Sequence, residues 1–276
     1  MPVYVNAGEA SDAGMKSIEH FSGVLLAAST RESELRKQLI KAVTIPPGEA
    51  AQPNGSRAPT ILYRPNASEI ADLLDSYSPV KAAELIARFR KNGTWQCPTL
   101  IVWKLFATTD EFGRDPCLRY IPSTQRSNWQ CDRRASHVPE EEAPARKRLL
   151  EKYLALANEA HRAGVPFLAG TDFGIPYVIP GFSLHDELAL FVEAGFTPME
   201  ALQTARVNPA KFFRLVDSLG TVEKGKIADL VLLDANPLQD IHNTQKINAV
   251  VVNGRLIPKP QLESMLAQVE ADAKKK

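Results

Sequence analysis

Short apolar segments alternate with amphipathic helical patterns along most of this chain of 276 residues. The clearest apolar segment, residues 165–170, follows a long helical pattern over 140–164 and precedes another over 183–195. This alternation is typical of α/β folds with parallel strands. Active sites on parallel sheets gather at the carboxyl ends of the strands, so the residues that directly follow each strand are the first functional candidates.

Four other segments are predicted to be strands. Residues 95–103 are apolar and β-prone, which predicts a buried strand, and residues 15–19 predict a short strand that ends at His20. Farther along, residues 227–233 and 247–252 are rich in Val, Ile and Leu. Because no long helical pattern separates these last two, they indicate a β element appended to the α/β body.

We expect three parts in the chain. Residues 1–216 form the α/β body, residues 217–258 the β element, and residues 259–276 a polar closing helix. Two loops are predicted within the body. Residues 45–59 are rich in Pro, Gly and Ser, and residues 108–143 follow an irregular pattern that favours a functional loop.

The composition excludes several functional classes. The formal net charge is +1, so no overall charge steers the chain toward nucleic acid or an anionic membrane. No apolar run approaches the roughly 20 residues that span a bilayer, and the first residues lack the pattern of a signal peptide, which predicts a cytoplasmic location. The three cysteines have no metal-type spacing and do not predict a disulfide framework.

Asp172 is the strongest site candidate, because it lies just beyond the apolar segment 165–170. The alternative is a loop aspartate that caps a backbone N–H. His20 lies in the same position after the segment 15–19, although a single histidine there is more often structural. An imidazole and a carboxylate at two strand ends on one rim can bind a divalent cation.

His185 and Tyr177 are candidates for substrate binding. His185 falls in the first turn of the helix predicted after Asp172, where it could orient a substrate, bond Asp172 or belong to the helix cap. Tyr177 lies in the loop after Asp172 and could form a pocket wall or a surface aromatic.

Four segments resemble the amidohydrolase superfamily, in the branch that holds imidazolonepropionase-like enzymes and metal-dependent prolidases. Residues 164–172 resemble its eighth barrel strand, and residues 180–188 together with 194–202 resemble the helices that follow. Residues 220–234 are similar to the return into its small β-sandwich. Residues 14–20 look like its sixth strand, whose last residue is a metal-binding histidine.

The resemblance implies a partial (β/α)8 barrel of the TIM type, holding about strands six to eight, with a C-terminal β-sandwich remnant. It implies a metal-dependent hydrolase of amide-type C–N bonds, such as those of peptides or acylated amino acids. Asp172 and His20 would bind a divalent ion, for which zinc is expected. Asp172 would also take a proton from metal-bound water and pass it to the leaving group.

The sequence departs from the family in one respect. It contains no His-x-His pair of the kind that the early barrel strands supply, and two ligands are fewer than the three of a usual catalytic zinc site. We therefore expect an incomplete metal site, and a homo-oligomer or strand exchange that covers exposed strand edges. An esterase-like hydrolase with an incomplete or absent metal site is one alternative. A non-catalytic truncated fragment, or a subunit completed by a partner chain, is the other.

Substrate specificity in such barrels comes from loops, and here the segments 108–143 and 173–182 are the expected ones. Residues there that could bind a carboxylate or line an apolar wall are Arg114, Arg119, Tyr120 and Trp129.

Overall fold

A computed structural model describes residues 5–43, 65–108, 112–131, 139 and 141–275. The predicted loop at 45–59 lies outside the described residues, as do residues 109–111, 132–138 and 140 of the predicted functional loop. Helices and parallel strands alternate through the first two thirds of the chain, which confirms the predicted α/β fold.

The helices of the described residues are α1 (Ala7–Asp12), α2 (Val24–Ala27), α3 (Glu32–Val43), α4 (Ala67–Asp75), α5 (Pro79–Asn92), α6 (Leu100–Ala107), α7 (Ser123–Cys131), α8 (Ala143–Arg162), α9 (Ser183–Glu193), α10 (Pro198–Ala205), α11 (Val207–Phe212) and α12 (Lys259–Lys275). Two 3-10 helices cover Pro116–Tyr120 and Ile241–Gln245. The strands are β1 (Ser17–Glu19), β2 (Trp95–Cys97), β3 (Leu230–Leu233), β4 (Ile247–Val252) and β5 (Arg255–Pro258).

Three parallel segments lie side by side at the centre of the body. Strands β1 and β2 pair in parallel with Ile18 opposite Gln96, and Gln96 also forms a parallel bridge with Phe167. The strand predicted at 165–170 is reduced to this one bridge. The ladder stops there because the next donor on β2 would be the amide of residue 98, and Pro98 has no N–H.

The strand predicted over 95–103 is wrong beyond Cys97. The chain turns at Thr99, whose φ is +47°, and residues 100–107 form helix α6. A short, wholly apolar run fits a buried helix as well as a buried strand, because neither leaves a polar face. Here the carboxyl group of Glu187 favours the helix, because it accepts hydrogen bonds from the two amides of the first turn.

The core lies between the parallel segments and the surrounding helices. Ile18 and Phe167 are buried on the helical side, where the ring of Phe167 meets those of Phe21, Phe191 and Phe196 edge-on. Aromatic pairs in this geometry add about 0.5–1.5 kcal/mol each beyond their buried area. This packing fixes where the three strand ends lie.

Strands β3, β4 and β5 form a separate antiparallel sheet in that order, and α12 follows directly. The strand predicted at 247–252 is confirmed, whereas the one predicted at 227–233 begins only at Leu230. The division into parts 1–216, 217–258 and 259–276 stays a prediction. Among the described residues, we find no helix with the length and apolar character needed to cross a membrane.

Candidate active site

The structure brings two predicted site residues together at the strand ends. His20 follows β1 and Asp172 follows the bridge at Phe167, and the His20 Nε2 atom lies 3.8 Å from Asp172 Oδ2. Their side chains are 16% and 37% exposed, so the pair is open to solvent on the Asp172 side. A metal-binding role for the two residues stays a prediction.

The backbone at these strand ends is left-handed. His20, Thr99 and Asp172 have φ values of +61°, +47° and +53°. Such conformations are uncommon outside glycine, and a β-branched residue such as Thr99 is a genuine outlier. Backbone strain of this kind costs of order 1–3 kcal/mol per residue and tends to cluster at functional sites.

Hydrogen bonds and strand pairing hold the imidazole of His20. Its amide donates to the carbonyl of Cys97 at 2.9 Å, which extends the β1–β2 pairing by one residue. Its Nδ1 atom lies 2.5 Å from Thr99 Oγ1, and that hydroxyl in turn donates to the carbonyl of Pro98 at 2.7 Å. The ring is therefore oriented by Thr99, two residues beyond the end of β2.

The electrostatics favour a neutral imidazole beside the carboxylate. Burial lowers the pKa of His20, although the negative charges of Asp172 and Glu19 act in the opposite direction. Cys97 lies nearby, but burial and the charges of Glu187 and Glu19 raise the pKa of its thiol to about 12. The thiol is therefore protonated at neutral pH.

The pair fits part of a divalent metal site. Two ligands of a tetrahedral zinc, each about 2.1 Å from the ion, lie about 3.4 Å apart. The separation of 3.8 Å between His20 Nε2 and Asp172 Oδ2 is close to this value. Over the ranges that the structure describes, no group of three or more His, Cys, Asp or Glu side chains could hold an ion. These residues therefore offer two of the ligands that a catalytic zinc site needs.

His185 lies in the first turn of α9, as predicted, but its contact is with another element. Its Nδ1 atom lies 2.9 Å from the hydroxyl of Thr244 in the second 3-10 helix. The ring lines an apolar cleft of about 750 Å³ between α9, α10 and the antiparallel sheet. Burial lowers its pKa. A role in substrate binding stays a prediction.

Tyr177 is buried rather than a surface aromatic, and its φ is +66°. Its ring lies 5.5 Å from that of Trp129, and the ring of Tyr120 stacks on Phe182 at 5.2 Å with an angle of 7°. The two predicted specificity segments thus pack against each other. Tyr177 also lines a cleft of about 250 Å³ with residues of α7, and its part in substrate binding stays a prediction.

Of the other predicted loop residues, Arg119 donates to the hydroxyl of Tyr120 at 2.9 Å and lies 3.7 Å from Glu270 of α12. This side chain therefore has partners within the chain.

Sequence reasoning missed Glu187, which the structure buries completely. Its two carboxyl oxygens accept from the amides of Leu100 and Ile101 at 3.0 and 2.7 Å. Burial raises its pKa to about 8, against the two hydrogen bonds, which lower it. A signal existed in the sequence, since Glu187 shares a helical face with the apolar residues Leu190 and Phe191.

Comparison with known proteins places the chain in a family. The sequence model described as "Amidohydrolase family" matches residues 120–257, half of the chain. The chain belongs to the amidohydrolase family. This confirms the predicted resemblance, and the members of this hydrolase family generally use a divalent metal. The match includes Asp172, Tyr177 and His185, whereas His20 lies outside it.

Among curated relatives, imidazolonepropionase of Pyrobaculum arsenaticum is 42% identical over 77 residues, which cover 28% of this chain and 19% of that protein. Ochratoxinase of Aspergillus niger is 35% identical over 104 residues, which cover 37% of this chain and 21% of that protein. The matched segments of this amidohydrolase family member thus span about a fifth of each relative's length.

A solved structure, that of bottromycin amidohydrolase, is similar over 98% of this chain and 51% of its own, with a TM-score of 0.66 at 22% identity. At this identity the likeness shows a shared fold. The α/β architecture therefore agrees with the family assignment.

Proposed function

We propose that this chain provides part of the active site of a metal-dependent hydrolase of amide-type C–N bonds, such as those of peptides or acylated amino acids. The observation that supports the proposal most directly is the 3.8 Å approach of His20 Nε2 to Asp172 Oδ2 at neighbouring strand ends. The family assignment supports hydrolysis of amide bonds as the chemistry.

Within this proposal, β1, β2 and the segment bridged at Phe167 represent about strands six to eight of a (β/α)8 barrel. Strands β3 to β5 represent the remnant of a β-sandwich. Exposed apolar side chains on that sheet, which include Leu232 and Leu256, support its coverage by a further chain, either a second copy or an exchanged strand.

The residues of the site have distinct roles in the proposed reaction. His20 and Asp172 would hold the divalent ion, for which we propose zinc. When bound, such an ion lowers the pKa of water and polarises the scissile carbonyl. Asp172 would accept a proton from the attacking water and return it to the leaving nitrogen, and its partly exposed carboxylate is open to both. We propose that Tyr177 and His185 contact the bound substrate.

The test compares Asp172→Asn with the wild-type chain on acylated amino acids, dipeptides and matched esters, with and without a chelator. We expect hydrolysis of the amides to fall by roughly 10²- to 10⁴-fold in the variant, because a positioned proton acceptor contributes about that much. Zinc binding, measured by equilibrium dialysis, should weaken in the same variant and in His20→Asn.

Asp240→Asn is a matched control, because Asp240 also pairs with a histidine, His242, at 2.8 Å, but on the exposed surface. It should leave both hydrolysis and zinc binding at wild-type values. Amide hydrolysis that survives Asp172→Asn would contradict the proposal. Ester hydrolysis alone, insensitive to chelator, would indicate the esterase-like alternative. Neither hydrolysis nor zinc binding would indicate a non-catalytic fragment or a subunit that needs a partner.

A further inference from the structure

The hydroxyl of Thr99 lies between two hydrogen-bond partners that cannot both accept from it. Thr99 Oγ1 donates to the carbonyl of Pro98 at 2.7 Å, and it lies 2.5 Å from His20 Nδ1. A hydroxyl has a single proton and a carbonyl oxygen can only accept. With the hydroxyl proton directed to the carbonyl of Pro98, the proton in the short contact to His20 comes from the imidazole.

We propose that Thr99 is a positioning residue that fixes His20 in the tautomer with its proton on Nδ1 and leaves the Nε2 lone pair directed at Asp172. The inference rests on the proposed role of the pair in metal binding. In a neutral imidazole one nitrogen donates and the other accepts, so the bond to Thr99 decides which atom is free. Nε2 then faces Asp172 Oδ2 without a proton between them.

The alternative tautomer would disable the pair as a metal site. With its proton on Nε2, His20 would direct a donor toward Asp172 Oδ2, and Nε2 would have no lone pair for a cation. With its proton on Nδ1, the two facing atoms each offer a lone pair, an arrangement that a cation between them stabilises. Hydrogen bonds that fix the tautomer of a ligating histidine commonly change metal affinity by 10- to 100-fold.

The position of Thr99 is set by structure on both sides. The preceding strand β2 is held by its parallel pairing, and the next two amides, those of Leu100 and Ile101, donate to the buried carboxyl group of Glu187. The left-handed backbone of Thr99, with φ of +47°, joins these two parts. A β-branched residue adopts this conformation only where its surroundings enforce it. The side chain of Thr99 is also buried, which keeps its hydroxyl beside His20.

The test reads the tautomer directly in the complete metal-free chain. Long-range ¹H–¹⁵N spectra at neutral pH show which ring nitrogen of each histidine carries the proton, and the His20 signals are assigned by their loss in His20→Gln. We expect the proton of wild-type His20 on Nδ1. Thr99→Val, which removes the hydroxyl at nearly constant shape, should move it to Nε2, and Thr99→Ser should keep it on Nδ1.

Thr108→Val is a matched control, because the Thr108 hydroxyl also donates to a carbonyl, that of Lys104, at the other end of the same helix. It should leave the His20 tautomer unchanged. In titrations of the metal-free proteins with zinc, Thr99→Val should weaken binding by about 10- to 100-fold and Thr99→Ser should restore it.

A wild-type His20 with its proton on Nε2 would overturn the proposal, and this holds even if Thr99→Val fails to fold. So would a folded Thr99→Val that keeps the proton on Nδ1. If no variant binds zinc, the proposed function fails, while the tautomer still decides the role of Thr99.

Discussion

Glu187 should make the protein less stable as the pH rises from acid to neutral. Its carboxyl group is fully buried, and burial raises its pKa to about 8 from the ordinary value of 4.5. Between these two values the unfolded chain releases the proton while the folded chain keeps it. The stabilisation from this group is therefore complete below pH 4.5 and is lost as the pH rises through about 8.

The size of the effect follows from the two pKa values. Their separation corresponds to roughly 5 kcal/mol over the full range. Between pH 5.5 and 7.5, about 2.5 kcal/mol of the free energy of unfolding should disappear. Glu187→Gln removes the titration. The difference in free energy of unfolding between the wild type and this variant should therefore shrink by about 2.5 kcal/mol over the same interval.

The assay is urea unfolding followed by tryptophan fluorescence at pH 5.5, 6.5 and 7.5 at constant ionic strength. Glu193→Gln, at an exposed position of the same helix α9, is the control and should differ from the wild type by a constant amount at the three pH values. A difference between wild type and Glu187→Gln that does not change with pH would refute the reasoning. It would mean that the bonds from Leu100 and Ile101 outweigh burial and keep Glu187 ionised in the folded protein.

Two further substitutions test the packing beneath the candidate site by urea unfolding. A Cβ atom at Gly170 would lie 2.4 Å from Cys97 Sγ, so Gly170→Ala should cost about 1–3 kcal/mol, and most of that cost should vanish when Cys97→Ala removes the sulfur. An equal cost in both backgrounds would show that another contact is responsible. Gln96 is fully buried, and its side-chain amide has no hydrogen-bond partner among the described residues. Because an unpaired buried polar group is costly, Gln96→Met should stabilise the protein by about 1–2 kcal/mol. The exposed Gln38→Met should have little effect, and a loss of stability in Gln96→Met would reveal an internal partner such as water.

The placement of His20 and Asp172 could be predicted because it depends on local sequence. An apolar segment followed by a polar residue marks a strand end, and parallel strand ends meet at one edge of a sheet. The helices α5 and α8 were predictable for the same kind of reason. Ser78 and Gly93 bound α5 at its two ends, and α8 has a regular amphipathic pattern.

The parts that could not be predicted depend on contacts between distant residues. The helix α6 takes its cap from Glu187, which is 87 and 86 positions away from the two amides that it binds. His20 and Thr99 are separated by 79 positions. No local pattern in residues 95–103 distinguishes a strand from a buried helix, because the deciding carboxyl group lies on another element. The contact between Thr99 and His20 could not be predicted for the same reason.

The three left-handed residues at the strand ends differ in how firmly they are held. The strain is greatest at Thr99, because aspartate and histidine adopt this conformation more readily than a β-branched residue does. Thr99 also has the most hydrogen bonds around it, because the amide of the next residue, Leu100, donates to Glu187. The backbone of His20 has one hydrogen bond, from its amide to the carbonyl of Cys97 at 2.9 Å. At Asp172 the only backbone contact found among the described residues is a long one, from the amide of Ile175 at 3.5 Å. The backbone of His20 is therefore held by a shorter hydrogen bond than that of Asp172, and we expect Asp172 to be the more adjustable member of the pair. A change from 3.8 Å toward the separation that a bound ion favours would come mainly from movement of Asp172.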